Sequence, residues 1–349
     1  MDRRVNAISD KVDLALAYAE ETRSDKAEIL EDLRPLRSLY ELLISNPHLN
    51  PRTGQLLPMD RWPMEPPPVR QRQKKAISRE ALMDELDYDA ELLTDNLAMV
   101  LRWGNDLSLR EQERAVYITQ SPKLRDWLLS PRNAVLLING NEPEVASARV
   151  HATSFISAHL VNSVAATRGT AGMCWFCGLH RDTRRDAKKA NVRGVIASLA
   201  GQLLAQYAGF DLYFFKRRHL QAVRNGDFES LCNLLDELIL QLPPGTITFC
   251  VLDWLSCLEF GGAQEVAEVK GLVKRLMQVV ESPLPGGNKF KLVFVNAGGP
   301  CRAGKLISRE ETINVPETVD GDGSGFTRMM WKMRVGDQIQ DLSKKGARK

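Results

Sequence analysis

Apolar residues recur along this chain with more than one period, and the changes of period divide it. Over residues 1–45 they fall at helical spacing. Counted in heptads, the a and d places are Val5, Ile8, Val12, Ala15 and Ala19, then polar Thr22 and Lys26, then Ile29, Leu33, Leu36, Tyr40 and Leu43. That seam suits a coiled coil or helical hairpin that associates with a second copy or a helical partner, and equally an amphipathic helix folded onto its own domain. Pro35 ends or kinks the helix. Residues 46–77 are Pro-rich, with NPHLNPRTG and PMDRWPMEPPPVR ahead of the basic run RQRQKK, and they predict an extended linker. The basic run reads as a solvated linker or as a nuclear import signal.

Helical spacing returns over residues 78–130. The stretch SREALMDELDYDAELLTDNLAMVLRW predicts one helix capped by Ser78. A second helix is predicted near 108–118. SPKLRDWLLS predicts a third, with Ser121 as cap and Pro122 at the first helical position. From 131 to 315 the pattern becomes short apolar runs alternating with helical stretches. Strands are predicted at Ala134–Ile138, Met173–Cys177, Ile247–Leu252 and Lys291–Val295, with helices near 147–164, 192–208, 211–241 and 263–281. Buried strands interleaved with helices predict an α/β fold, a parallel sheet with helices on both faces. Residues 316–349 are left as a C-terminal tail.

Composition narrows the function classes. Hydrophobic residues make up 44% and charged residues 26%, which is ordinary for a globular protein. With 47 basic and 44 acidic residues the net charge is +3, and nothing concentrates it into a nucleic-acid footprint. No run approaches the length of a membrane span, and MDRRVNAISD has no apolar h-region, so a cytoplasmic protein is expected, with the nucleus as alternative. The six cysteines read as reduced, several of them small hydrophobes inside strands.

The candidate chemistry lies where strands end. The first strand runs into Asn139, Gly140 and Asn141 and then a helix, which is where a phosphate-binding loop belongs. A working loop reads G-x-x-x-x-G-K-[ST]. NGNEPEVASARVHATSF has one glycine, no lysine, no hydroxyl assigned to that spacing, and two acidic residues, Glu142 and Glu144, where phosphate would sit. A plain strand-to-helix turn explains it as well. ITFCVLD ends in Asp253, a candidate carboxylate for Mg²⁺. KLVFVN ends in Asn296, a polar residue placed to sense a γ-phosphate, and Arg302 beyond it is a candidate phosphate clamp or a surface arginine. CWFCGLH carries half a zinc motif, but strand alternation sends Cys174 and Cys177 to opposite faces, and a core strand is the better reading. No hydrolase triad is supported.

The order WLLSPRNAVLLINGN, CWFCGLH, VRGVIASLAGQLL, TITFCVLDWLSCLEF and KLVFVNAGG resembles the NTPase module of fungal proteins related to the STAND (NACHT-like) signalling ATPases, over about residues 80–315. The resemblance implies a nucleotide switch coupled to an effector and to protein assembly. Gly140 matches the loop, Asp253 the Mg²⁺ carboxylate, and Asn296 and Arg302 loosely the sensor region. The lysine has no counterpart, and Ser256 and Cys257 stand where active members carry acids. A non-catalytic pseudo-ATPase scaffold is therefore expected, with a weak ATP-binding switch, or a structural partner working through its N-terminal coiled coil, as the alternatives. ATP with Mg²⁺ at low affinity is the only cofactor left open, and a protein partner or a second copy is expected, rather than nucleic acid or membrane.

Overall fold

The computed structural model describes residues 77–142, 151–180, 189–213, 215, 217–260, 262–298, 303–321 and 323–346. The N-terminal heptads, nearly all of the linker, the loop 143–150 and Arg302 lie outside the described residues. The described residues belong to one compact unit.

Ser78 does cap the first helix, its hydroxyl accepting from the Ala81 amide, but the helix expected over 78–103 is two. Helix α1, Arg79–Glu85, stops before Asp87, which sits at φ 53°, and α2, Ala90–Gly104, starts afresh with Asp89 as cap. Aspartate tolerates the left-handed conformation and offers a capping carboxylate, so the Asp-Tyr-Asp run both stops one helix and starts the next. Helix α3, Leu109–Gln120, opens with a reciprocal Ser108–Glu111 capping box. Helix α4, Pro122–Leu129, has Pro122 in its first turn, and Ser121 makes no side-chain cap. Its far end is held by Lys291, a fully buried side chain whose Nζ donates to the carbonyls of Trp127, Ser130 and Arg132.

Five strands follow: β1 Ala134–Asn139, β2 Thr170–Phe176, β3 Ile247–Asp253, β4 Lys289–Asn296 and β5 Thr312–Asn314. They form one sheet in the order β2-β3-β4-β1-β5, every neighbouring pair parallel. All strand C-termini therefore share one edge. The chain crosses from β1 to β2 through α5, Ala152–Ala165, and from β2 to β3 through α6 (Val192–Gln206), α7 (Arg217–Arg224) and α8 (Phe228–Leu240). It returns to β4 through α9, Ala263–Glu281.

Two cores result. Leu136, Ile138, Phe176, Phe249, Val251 and Val295 pack with Phe155 and Ile156 of α5. Their strand neighbours Val135, Leu137, Trp175, Leu252, Leu292 and Phe294 pack with α6, α8 and α9. Cys174 joins the first core and Cys177 the second.

The free edge of β2 is covered by side chains. Gln202 and Gln206, one turn apart on α6, each accept from and donate to the strand: Gln202 pairs with the Cys174 amide and carbonyl, Gln206 with those of Gly172. The two amides stand in for a sixth strand and blunt the edge.

Two further features differ from the sequence reading. Strand β5 is new. And the segment read as a tail is helical over Arg328–Trp331 (α10), a π turn at Lys332–Gly336 and Asp337–Gly346 (α11). Its Trp331, Val335 and Ile339 repeat at helical spacing and are buried in the α5-side core. The Trp331 indole also donates to Ser163 on α5 at 2.9 Å.

Candidate functional site

Asn139, Gly140, Asn141, Asp253 and Asn296 all lie at the C-terminal edge of the sheet, where open α/β sheets bind ligands. They are not one cluster. Asn139 and Asn296 are register partners and, by strand alternation, project toward the α6–α9 side. They form a relay with Asn314 of β5: the Ser256 amide donates to Asn296 Oδ1 at 3.1 Å, Asn296 Nδ2 to Asn139 Oδ1 at 3.4 Å, and Asn139 Nδ2 to Asn314 Oδ1 at 2.9 Å. Asp253 projects to the opposite, α5 side.

The turn after β1 is tied down. The Gly140 amide donates to Asn296 O at 2.6 Å, Asn141 to Gly298 O at 3.0 Å and Glu142 to Ala297 O at 2.9 Å. Asn141, at φ 53°, also donates its side-chain amide to Val315 O, and the Gly140 carbonyl accepts from Arg114 Nη2. Glycine is required at 140, since a Cβ there would stand 2.5 Å from Ala297 O. Beside a plain strand-to-helix turn, the sequence allowed these amides to be free to cradle an anion. They continue the β1–β4 ladder instead, because a strand-like turn pairs its backbone groups with the nearest carbonyls.

Asp253 is buried. Ser154 Oγ donates to its Oδ2 at 2.7 Å and Ser157 Oγ to its Oδ1 at 3.3 Å, both from α5. Burial pushes the Asp253 carboxyl up to about 6 and Glu142 adds to this, against the two hydroxyls and His151. His151, the N-cap of α5, has its Nδ1 2.5 Å from Glu142 Oε2, a pair whose side chains are 1% and 7% exposed. Trp254, at φ 55°, stands edge-on to the His151 ring at 4.7 Å. Gly178 makes room for it, since a Cβ there would meet Trp254 at 2.1 Å.

Sequence spacing missed several of these groups. Counting eight places from Gly140 reaches Ser147, so a hydroxyl does stand at that spacing, within the segment 143–150. The hydroxyl that meets Asp253 is Ser154, at the first turn of α5. Arg114 comes in to the turn from α3 and His151 from the helix cap. Only a contact across 99 residues joins Ser154 to Asp253, and no local pattern announces it.

The cysteine motif is structural. His180 stacks on Trp175 at 4.4 Å and shares a 2.8 Å hydrogen bond with Asn96. Among the described residues, no three His, Cys, Asp or Glu side chains form a group able to hold a metal ion. No described helix is long and apolar enough to cross a membrane.

The arrangement fits Mg²⁺ with a nucleoside triphosphate poorly. The amides of residues 140–142 are spent, both Asp253 oxygens hold hydroxyl protons, and the Glu142 carboxylate lies within electrostatic reach of Asp253. No protein-family model matches the chain, and neither a curated protein nor a solved structure matches it.

Proposed function

We propose that this chain carries a degenerate P-loop-NTPase-like module of the STAND type, which does not hydrolyse ATP and serves as a non-catalytic scaffold for protein interaction. The contact of Ser154 with Asp253 carries the reading. In P-loop NTPases the hydroxyl after the loop lysine and the strand-terminal aspartate hold one Mg²⁺, so the two must be neighbours at the start of the loop helix. Ser154 and Asp253 are such neighbours. The residue before Ser154, in the lysine's place, is Thr153. The strand order supports the same reading, with β4 and its Asn296 between the loop strand β1 and the aspartate strand β3.

Loss of hydrolysis follows from what is missing. Phosphoryl transfer depends on positive charge and donors preorganised around the phosphates, and removing one such donor typically costs about a hundredfold in rate. Here the lysine is absent and the amides of residues 140–142 are committed to the carbonyls of Asn296, Ala297 and Gly298. The protein interaction is assigned to the heptads of residues 1–45. Sedimentation should distinguish wild type from Leu33→Asp with Leu36→Asp, and identical monomeric profiles would remove that assignment.

Purified protein should release no phosphate from ATP above the level of its Asp253→Ala variant. Steady turnover that vanishes in that variant overturns the proposal. The retained Ser154–Asp253 contact favours a weak ATP-binding switch as second reading. Thermal stabilisation by ATP and Mg²⁺ without turnover would select it over the scaffold.

A further inference from the structure

Among the described residues, four buried polar atoms around the start of α5 have no hydrogen-bond partner: Arg114 Nε, Glu142 Oε1, His151 Nε2 and Thr153 Oγ1. Arg114, His151 and Thr153 are at most 2% exposed, and the Glu142 side chain is 7% exposed. They are mutual neighbours. Glu142 touches His151, Arg114 lies within electrostatic reach of Glu142 while gripping the Gly140 carbonyl, and Thr153 Cγ2 is 3.0 Å from where a Cβ on Gly140 would stand. A buried hydrogen-bonded pair that serves only structure has its remaining lone pairs and protons satisfied. This one leaves an oxygen and a nitrogen unpaired.

Sorting the groups by chemistry is informative. Arg114, His151 and Thr153 bring donors, and the N-terminus of the 14-residue helix α5 brings the positive end of its dipole. One group, Glu142, is an anion. The set is that of an oxyanion site whose anion is supplied by the chain itself. We propose that the Glu142 carboxylate is a built-in anion, filling the anion position at the N-terminus of α5 and closing it to phosphate and nucleotide. The inference rests on the P-loop-like reading of the β1–α5 connection. It adds a cause for the loss of ligand: the phosphate position is occupied from within.

Removing the carboxylate should uncover the site. The probe is inorganic phosphate, with chloride at matched ionic strength as control. The unfolding midpoint of wild type should show only the general salting-out rise that phosphate gives a folded protein over chloride, and the site is read as the excess of the variant over wild type. Glu142→Ala should lose stability in chloride, and its midpoint should climb steadily with phosphate concentration, as for any ligand that binds only the folded state. Adding Thr153→Val should shrink that climb by removing one donor.

Glu142→Ser vacates the same volume and gives the same reading if the alanine variant does not fold in chloride. Should neither fold there, both should recover in phosphate. A folded Glu142→Ala indifferent to phosphate overturns the proposal, as does a wild type that responds equally, or a failure of both variants to recover. The scaffold reading is judged separately. ATP turnover by wild type would sink it, whereas an inert wild type with an unresponsive Glu142→Ala sinks only the built-in anion.

Discussion

Asp253, packed against α5, and His159, on α5, titrate in opposite senses, which makes their contributions separable. Burial lifts Asp253 from its ordinary 3.8 to about 6. Burial, helped by the charge of Arg328, lowers His159 from 6.5 to about 4. A carboxyl with a raised folded pKa gives stability that is complete below 3.8 and lost as pH rises through about 6. An imidazole with a depressed folded pKa gives stability that is complete above 6.5 and lost as pH falls through about 4. Each swing is on the order of 3 kcal/mol, so on acidification across this window the two offset one another. Relative to wild type, Asp253→Asn should lose stability between neutral pH and pH near 4, and His159→Gln should gain it. Urea unfolding at several pH values reads both, and parallel curves for all three proteins would refute the assignment. The strand-terminal aspartate was legible in the sequence. Its surroundings were not, because Ser154, Ser157 and His151 reach it only through the β1–α5–β2 crossover.

Elements were legible in proportion to how much their own residues decide them. The apolar runs of β1, β3 and β4 are buried along nearly their whole length, so composition alone marks them. Strand β5 has three residues and exists because β1 offers it a ladder, a cause that lies outside its own sequence. The break between α1 and α2 was readable in principle from Asp87 and Asp89, but the apolar spacing across it masked the stop. The glutamine cover on β2 is another tertiary device, since Gln202 and Gln206 look like ordinary helix residues. Replacing both by leucine should strand the amides and carbonyls of Gly172 and Cys174. Each lost hydrogen bond removes about 1 kcal/mol, and an uncovered strand edge templates pairing with another chain. The double variant should therefore be less stable and should self-associate at concentrations where wild type of the same age does not. Light scattering that stays at the wild-type value would show that the edge needs no cover.

At the scale of the molecule, the sequence places the boundary of the α/β unit too early. Residues 316–349 look like a polar appendage because their apolar residues are few and widely spaced, yet Trp331, Val335 and Ile339 share one helix face and close the core over α5. His159 sits in that seam, its ring 5.0 Å from Phe326 and 5.5 Å from Trp331. Fully burying a large apolar side chain contributes roughly 1.5–3 kcal/mol, so these three together supply on the order of 6 kcal/mol. That is comparable with the whole net stability of a typical domain, about 5–15 kcal/mol. Ending the chain after Phe326 should therefore leave a protein that is largely unfolded or protease-sensitive at room temperature, although the sheet and every candidate site residue remain. Trp331→Ala alone should cost about 3–5 kcal/mol, since it opens a cavity and removes the indole's hydrogen bond to Ser163. Thermal unfolding of the two variants beside wild type distinguishes a core element from an appendage. A truncated chain that melts with wild type would return the segment to the status of a tail. Graded losses, with the truncation below Trp331→Ala, are what a sheet covered by its own C-terminal helix requires.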